Sequence, residues 1–200
     1  MSKDFFQHKA NDYEQNTKRV QNVRNIADKT TQEVNFDKSM NIIDFGSGTG
    51  LLLEQIAPLV NKITAIDMSA SMNKKLLEKK ESLACELEVL QIDLSKTKLE
   101  KKYDRIISSM TLHHIKDIKE LFTDFYNTLN DNGAIALSDL DTEDGTFHKE
   151  DTGVHHFGFN RNEILNIAKE VGFKNLKVQD ASIVEKPYGK YPVFILTGHK

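Results

Sequence analysis

Three aspartates in the first half of the chain each close a short apolar run: Asp44 after NII, Asp67 after KITAI and Asp93 after LEVLQI. Strand ends of an open α/β sheet border its ligand crevice, so acids in those places can accept hydrogen bonds from one bound molecule. Between the first two lies FGSGTG, with Gly46, Ser47, Gly48 and Gly50 leading into a helix. Glycine permits positive φ and lets a ligand approach the main chain where a Cβ would intrude. The amides opening the next helix favour a negatively charged group such as a carboxylate. Asp67 stands about 20 residues beyond the glycine turn, where an acid accepts hydrogen bonds from both hydroxyls of a ribose. Asp93 is placed to accept one from an adenine amino group.

A second concentration of reactive side chains lies in DLDTEDGTFHKEDTGVHHFGF, residues 139–159, which has no helical or strand period. It holds His148, His155 and His156 with six acids: Asp139, Asp141, Glu143, Asp144, Glu150 and Asp151. Long segments without periodicity inside a domain are more often functional than idle. Histidine takes up a proton near neutral pH, which makes these three the candidate catalytic residues, one of them a general base. Three histidines among carboxylates could instead hold a divalent metal, although the spacing matches no zinc pattern and no residue is assigned as a ligand. The plain alternative is a solvated polar loop. His113 and His114, just after the fourth strand, are candidates for the cofactor pocket. The single cysteine, Cys85, has no partner for an internal disulfide, reads as structural and fits a reducing cytoplasm.

Positioning these groups takes a sheet. NIIDF, KITAID, LEVLQID, YDRIISS and GAIALSD read as strands, and TGLLLEQIAPLV, SASMNKKLLEKKESL and DIKELFTDFYNTLN between them as amphipathic helices. That alternation predicts a parallel sheet with helices on both faces. NDNG ends the third of these helices, with Gly133 suited to a left-handed turn. Upstream, residues 5–34 read as two helices. Downstream, NRNEILNIAKEVGF reads as a helix capped by Asn160 or Asn162 and ended at Gly172. NLKVQDASIV and YPVFILTGH are joined only by a short KPYGK connection, which predicts an antiparallel hairpin. The 200 residues, 28% charged and 38% hydrophobic, fit one globular domain. A net charge of −3 offers no general attraction for nucleic acid or an anionic membrane. No apolar run approaches the roughly 20 residues of a membrane helix, and MSKDFFQHKAND is not a signal peptide.

These motifs resemble those of class I S-adenosylmethionine-dependent methyltransferases, of the broad type that includes the ubiquinone and menaquinone biosynthesis enzymes. IIDFGSGTG is similar to the family's first motif, ITAIDMS to its second, VLQIDLS to its third and YDRIISSMTLHHI to its fourth, and the likeness spans roughly residues 4–140. It implies a Rossmann-like seven-stranded, mostly parallel sheet with a C-terminal antiparallel hairpin. One domain over 1–200 would divide into a helical lid (1–36), a cofactor core (37–140), an acceptor-site loop (139–159) and a final helix and hairpin (160–200). The resemblance assigns Asp44, Gly46, Ser47, Gly48 and Gly50 to the cofactor's methionine end. Asp67 and Met68 go to its ribose and adenine, and Asp93 and Leu94 to the adenine edge. Ser108 and Ser109 would sit beneath the cofactor, His113 or His114 near the mouth, and Tyr13 in the lid over the methionine end.

Methyl transfer is an in-line displacement that needs an aligned acceptor and little water. A base is needed only where the acceptor must lose a proton. Ser108, Ser109, Met110 and Thr111 stand where an adenine amino-methyltransferase would carry an Asn or Asp before two prolines, and no cysteine is there for cytosine chemistry. A small-molecule acceptor is therefore expected, with no nucleic-acid or membrane partner. The first alternative is a non-catalytic S-adenosylmethionine-binding module. The second is a nicotinamide-dependent oxidoreductase, whose G-x-G-x-x-G spacing would put glycine where Leu51 stands.

Overall fold

Side chains of neighbouring strand residues go alternately to two cores, and that alternation fixes the layers. In β1 (Asn41–Phe45) Ile42 enters one core and Ile43 the other; in β5 (Leu129–Leu140) Ala134 and Ala136 part from Ile135 and Leu137 in the same way. The first core is closed by α1 (Thr17–Glu33), α2 (Leu51–Ile56) and α3 (Ala70–Glu78), through residues such as Ile26, Leu53 and Leu76. The second is closed by α4 (Ile118–Thr128) and α5 (Arg161–Val171), through Phe122, Phe125 and Ile164. Removing Phe122, which is fully buried, would cost about 3–5 kcal/mol for lost contacts and the cavity left behind. The computed structural model describes residues 4–5, 7–93, 97–150 and 152–200.

With β2 (Lys62–Ile66), β3 (Glu86–Leu90), β4 (Tyr103–Ser109), β6 (Lys174–Lys186) and β7 (Gly189–His199), the strands form one seven-stranded sheet in the order β3-β2-β1-β4-β5-β7-β6. Strands β1 to β5 run parallel, and β7 runs antiparallel to both β5 and β6. The Rossmann-like α/β architecture is thus the expected one, closed by the expected hairpin. Its register pairs Lys186 with Gly189, leaving Pro187 and Tyr188 as the turn. Strand order reverses between β1 and β4, so the crevice opens where those two strands end. Among the described residues, no helix is long and apolar enough to cross a membrane.

Caps explain where the helices begin. Asn16, Ser69, Asp117 and Asn160 each accept a main-chain N–H of the first turn, so the cap of α5 is Asn160 rather than Asn162. Gly172, at φ 118°, ends α5 as expected.

Two local expectations change. Residues 7–15 form successive turns, not a first helix, with i to i+3 bonds from Asp12 N to Lys9 O (3.2 Å) and Gln15 N to Asp12 O (3.1 Å). Asn11, Asp12 and Asn16 favour such local bonding, and Ala10 and Tyr13 are too few to bury a helical face. At NDNG it is Asn132 that takes the left-handed φ, 64°. Gly133 is needed for space: a Cβ there would lie 2.8 Å from the Asn130 carbonyl.

Candidate active site

β1 passes into α2 through Gly46, Gly48 and Gly50, at φ 71°, 54° and 91°. A Cβ on Gly46 would stand 2.1 Å from Thr111, and one on Gly50 2.6 Å from Leu76, so packing as well as φ requires glycine there. At Gly48 the space is open, with nothing within 4 Å of a built Cβ. The turn's amides are less available than the sequence implied. Gly46 N and Ser47 N donate to the Ile66 carbonyl (2.8 and 3.2 Å), and Gly48 N to Asp67 Oδ2 (2.8 Å). These bonds lock the turn to the end of β2.

Asp44 is only 1% exposed, and its Oδ2 has no hydrogen-bond partner. Burial, then the neighbouring Asp67 charge, pushes its carboxyl up to about 8. Ser47 Oγ, Thr49 Oγ1 and Ser109 Oγ are also buried without partners around the same strand ends. Unfilled polar atoms of this kind call for a polar ligand, because each costs free energy if left alone. Asp67 accepts from Gly48 N and Ser69 N, and burial raises its pKa against those bonds. Met68 beside it is 46% exposed, an open apolar surface at the same rim. Asp93 follows β3 and is partly buried, whereas Leu94 lies outside the described residues. Ser108 is committed within the sheet: its Oγ donates to the Phe45 carbonyl at 2.7 Å, tying β4 to β1. Just beyond, Met110 is held at φ 59° by its N–H bond to the Ser138 carbonyl (2.8 Å), a strained residue at the crevice edge.

The histidines gather around one buried member, His113, with His114, His148 and His156 half-buried beside it and His155 exposed. His113, 2% exposed, has Nδ1 2.7 Å from Asp139 Oδ1 and donates its main-chain N–H to Asp139 Oδ2 at 3.2 Å. The carboxylate makes Nδ1 the donor nitrogen. His155 N and His156 N both donate to the His113 carbonyl (2.9 and 3.2 Å), and His156 Nε2 donates to the Ile115 carbonyl (2.8 Å). His148 packs with its ring 5.0 Å from that of His113 and tilted 46° to it, with Nδ1 3.1 Å from Thr152 Oγ1 and a buried, unpartnered Nε2. Burial first, then His113, lowers His148 to about 3 and His114 to about 4, so both rings are neutral at neutral pH. Of the loop candidates, only His155 presents an exposed side chain. Among the described residues, no group of three or more His, Cys, Asp or Glu side chains gathers as an ion site. Sequence reasoning named Asp139 only as a loop acid. Its signal was the one already used for Asp44, Asp67 and Asp93, an acid closing an apolar strand.

The N-terminal segment covers the rim. Asp4 Oδ2 accepts from Ser69 Oγ (3.1 Å) and Ser71 Oγ (3.0 Å), and Lys9 pairs with Glu150 of the loop at 2.8 Å. Tyr13 carries the Arg19 guanidinium 4.0 Å over its ring, and burial raises its hydroxyl pKa against the Arg19 charge, with Asp67 adding to the rise.

A glycine turn, a switch-point crevice, an incomplete buried acid and a covering N-terminal segment are the frame in which known proteins can be compared. A family model described as a methyltransferase domain matches residues 16–178. This chain belongs to the methyltransferase domain family. It is 31% identical over 178 residues to an uncharacterised methyltransferase of Schizosaccharomyces pombe, covering 80% of this chain and 61% of that one. It is also 31% identical over 160 residues to a malonyl-[acyl-carrier protein] O-methyltransferase of Bacillus anthracis, covering 77% and 51%. The chain spans about half to three-fifths of the length of these relatives. Among solved structures it shares its fold with phosphoethanolamine N-methyltransferase 2 of Haemonchus contortus, determined with S-adenosyl-L-methionine. That match has a TM-score of 0.68 at 19% identity and covers 85% of this chain and 50% of the other. Family membership sets aside the oxidoreductase alternative.

Proposed function

We propose that the chain binds S-adenosylmethionine and transfers its methyl group to a small-molecule acceptor, releasing S-adenosylhomocysteine. The observation that carries this reading is Asp44, a buried carboxyl whose Oδ2 has no partner, at the start of a glycine turn on the sheet's switch point. An ammonium group beside it would supply the missing charge, and the methionine end of the cofactor carries one. Ser47 and Ser109 offer hydroxyls alongside; in this reading Asp67 and Asp93 serve the ribose and the adenine, and Met68, 46% exposed, gives the adenine an apolar flank. Tyr13 closes the methionine end. The cofactor contributes an activated methyl on a sulfonium, whose leaving group departs neutral. The chain's own work is to bind, align and exclude water.

Where an acceptor must lose a proton, His155 is the loop histidine we assign, because it alone among the three is exposed. His156 is committed to the Ile115 carbonyl, and the depressed basicity of His148 suits it poorly to neutral pH. These two hold the loop on His113. The test is a calorimetric titration of the purified chain with S-adenosylmethionine, followed by label transfer from methyl-labelled cofactor to an acceptor panel. Binding with turnover is expected, and His155→Ala should lower turnover while leaving cofactor affinity unchanged. Absence of cofactor binding would overturn the reading. Binding without turnover on a broad panel would favour a non-catalytic module.

A further inference from the structure

Several cations of this acidic chain are held by carboxylates: Lys29 by Glu33, Lys62 by Glu86, Lys79 by Glu54 and Arg161 by Asp141. Where the N-terminal segment, the 139–159 loop and the β6–β7 turn meet, the pattern changes. Lys186 Nζ lies 3.4 Å over the Phe147 ring and donates to the Phe147 carbonyl. Lys149 Nζ sits 3.7 Å over Tyr188, and Arg19 4.0 Å over Tyr13. Among the described residues none of the three has a carboxylate within ion-pair distance; aromatic faces and carbonyls hold them instead. Burial depresses the Lys186 ammonium, and Arg19, Lys149 and Lys9 add repulsion, opposed by Glu143 alone. Glu143 itself spends Oε2 on the Phe147 amide (3.0 Å), and Lys9 is already paired with Glu150.

The cluster borders the crevice on two sides. Phe147 packs 4.8 Å from His148, which packs on His113. On the other side Arg19 covers Tyr13, which feels the Asp67 charge. Bringing three cations together against a low-dielectric wall with Glu143 as the nearby carboxylate, and no ion pair to it, is costly, and an anion arriving there would relieve that cost. The geometry points to an acceptor with an anionic head, carboxylate or phosphate, held by Lys186 with Arg19 and Lys149, and an apolar body against the aromatic rim. This deepens the methyl-transfer reading and rests on it for the word acceptor. The anion site itself can be tested without any turnover.

The experiment titrates the full chain calorimetrically with octanoate, octyl phosphate, octanamide and octylammonium, each with and without S-adenosylhomocysteine. At least one anion should bind about 10-fold or more tightly than the neutral amide, with affinity falling as salt rises. The tighter of the two anions identifies the head group. Lys186→Met should cut anion affinity about 10-fold, with Lys186→Arg restoring most of it. Lys149→Gln, on the exposed side, guards against a variant that merely loosens the loop, and should weaken the anion by a smaller factor. S-adenosylhomocysteine affinity should be unchanged in all three, and thermal unfolding reports whether each is folded. No anion binding, equal binding of the amide, preference for octylammonium, or folded Lys186→Met and Lys149→Gln proteins with undiminished anion affinity would overturn the proposal. Loss of nucleoside binding in the unmodified chain would instead count against the cofactor reading alone.

Discussion

Asp44 and Asp139 are both buried aspartates on the sheet, 1% and 0% exposed, yet the fold treats them oppositely. Asp139 receives the His113 ring, the His113 amide and the Leu140 amide, the last at 2.7 Å. Asp44 leaves Oδ2 unpartnered and faces a second carboxylate. The first is completed from within and serves as scaffold. The second is completed only by something brought from outside, which is how a buried acid marks a binding site rather than a structural joint.

The largest expected effect breaks the completed side. Asp139→Ala strands the His113 N–H groups and the Leu140 amide, and should cost about 3–5 kcal/mol in urea unfolding. A loss under about 1 kcal/mol would mean that the two acids do not differ as described. Next comes the wall of the incomplete side. Gly46→Ala must displace Thr111 while holding a positive φ, a cost of about 3 kcal/mol from overpacking and left-handed strain together. Gly48→Ala, with open space around it, should lose only about 1 kcal/mol of stability.

Asp44→Asn should spare stability but weaken S-adenosylmethionine by about 2 kcal/mol, read by calorimetry, through loss of a charge-assisted pair. Its pH signature sharpens the contrast. The Asp44 carboxyl, raised from 3.8 to about 8, keeps in the folded chain a proton that the unfolded chain releases between those values. Its contribution is therefore whole below the lower value and lost as pH rises toward the upper one. Asp44→Asn should remove that downward slope from a stability–pH curve. Cofactor binding near neutral pH should release a proton, visible as an enthalpy that changes with the buffer, and the variant should abolish this. The smallest effect belongs to the loop: His156→Ala loses the Ile115 bond and about 1 kcal/mol, measured as faster proteolysis between residues 139 and 159.

Legibility followed distance along the chain. β1 and the glycine turn stood where the residues put them, because strand period and glycine φ are set by a few neighbouring atoms. Residues 7–15 misled because a helix there needed a burial face that only tertiary packing could supply. Gly133 misled because its reason is a contact with Asn130 and Leu129, not its own φ. Ser108, expected beneath the cofactor, has its hydroxyl set on the Phe45 carbonyl by strand register, a partner that residue type alone does not name.

By itself, then, the sequence determined the seven-stranded plan, the hairpin, the strand-end acids and the glycine turn, since each is written in local period, backbone freedom and spacing. Only the tertiary structure decided which acid is satisfied, which histidines pack around His113, and which cations stand together. Arg19, Lys149 and Lys186 lie far apart in the chain, and the free energy of a polar group depends on the neighbours that packing brings to it.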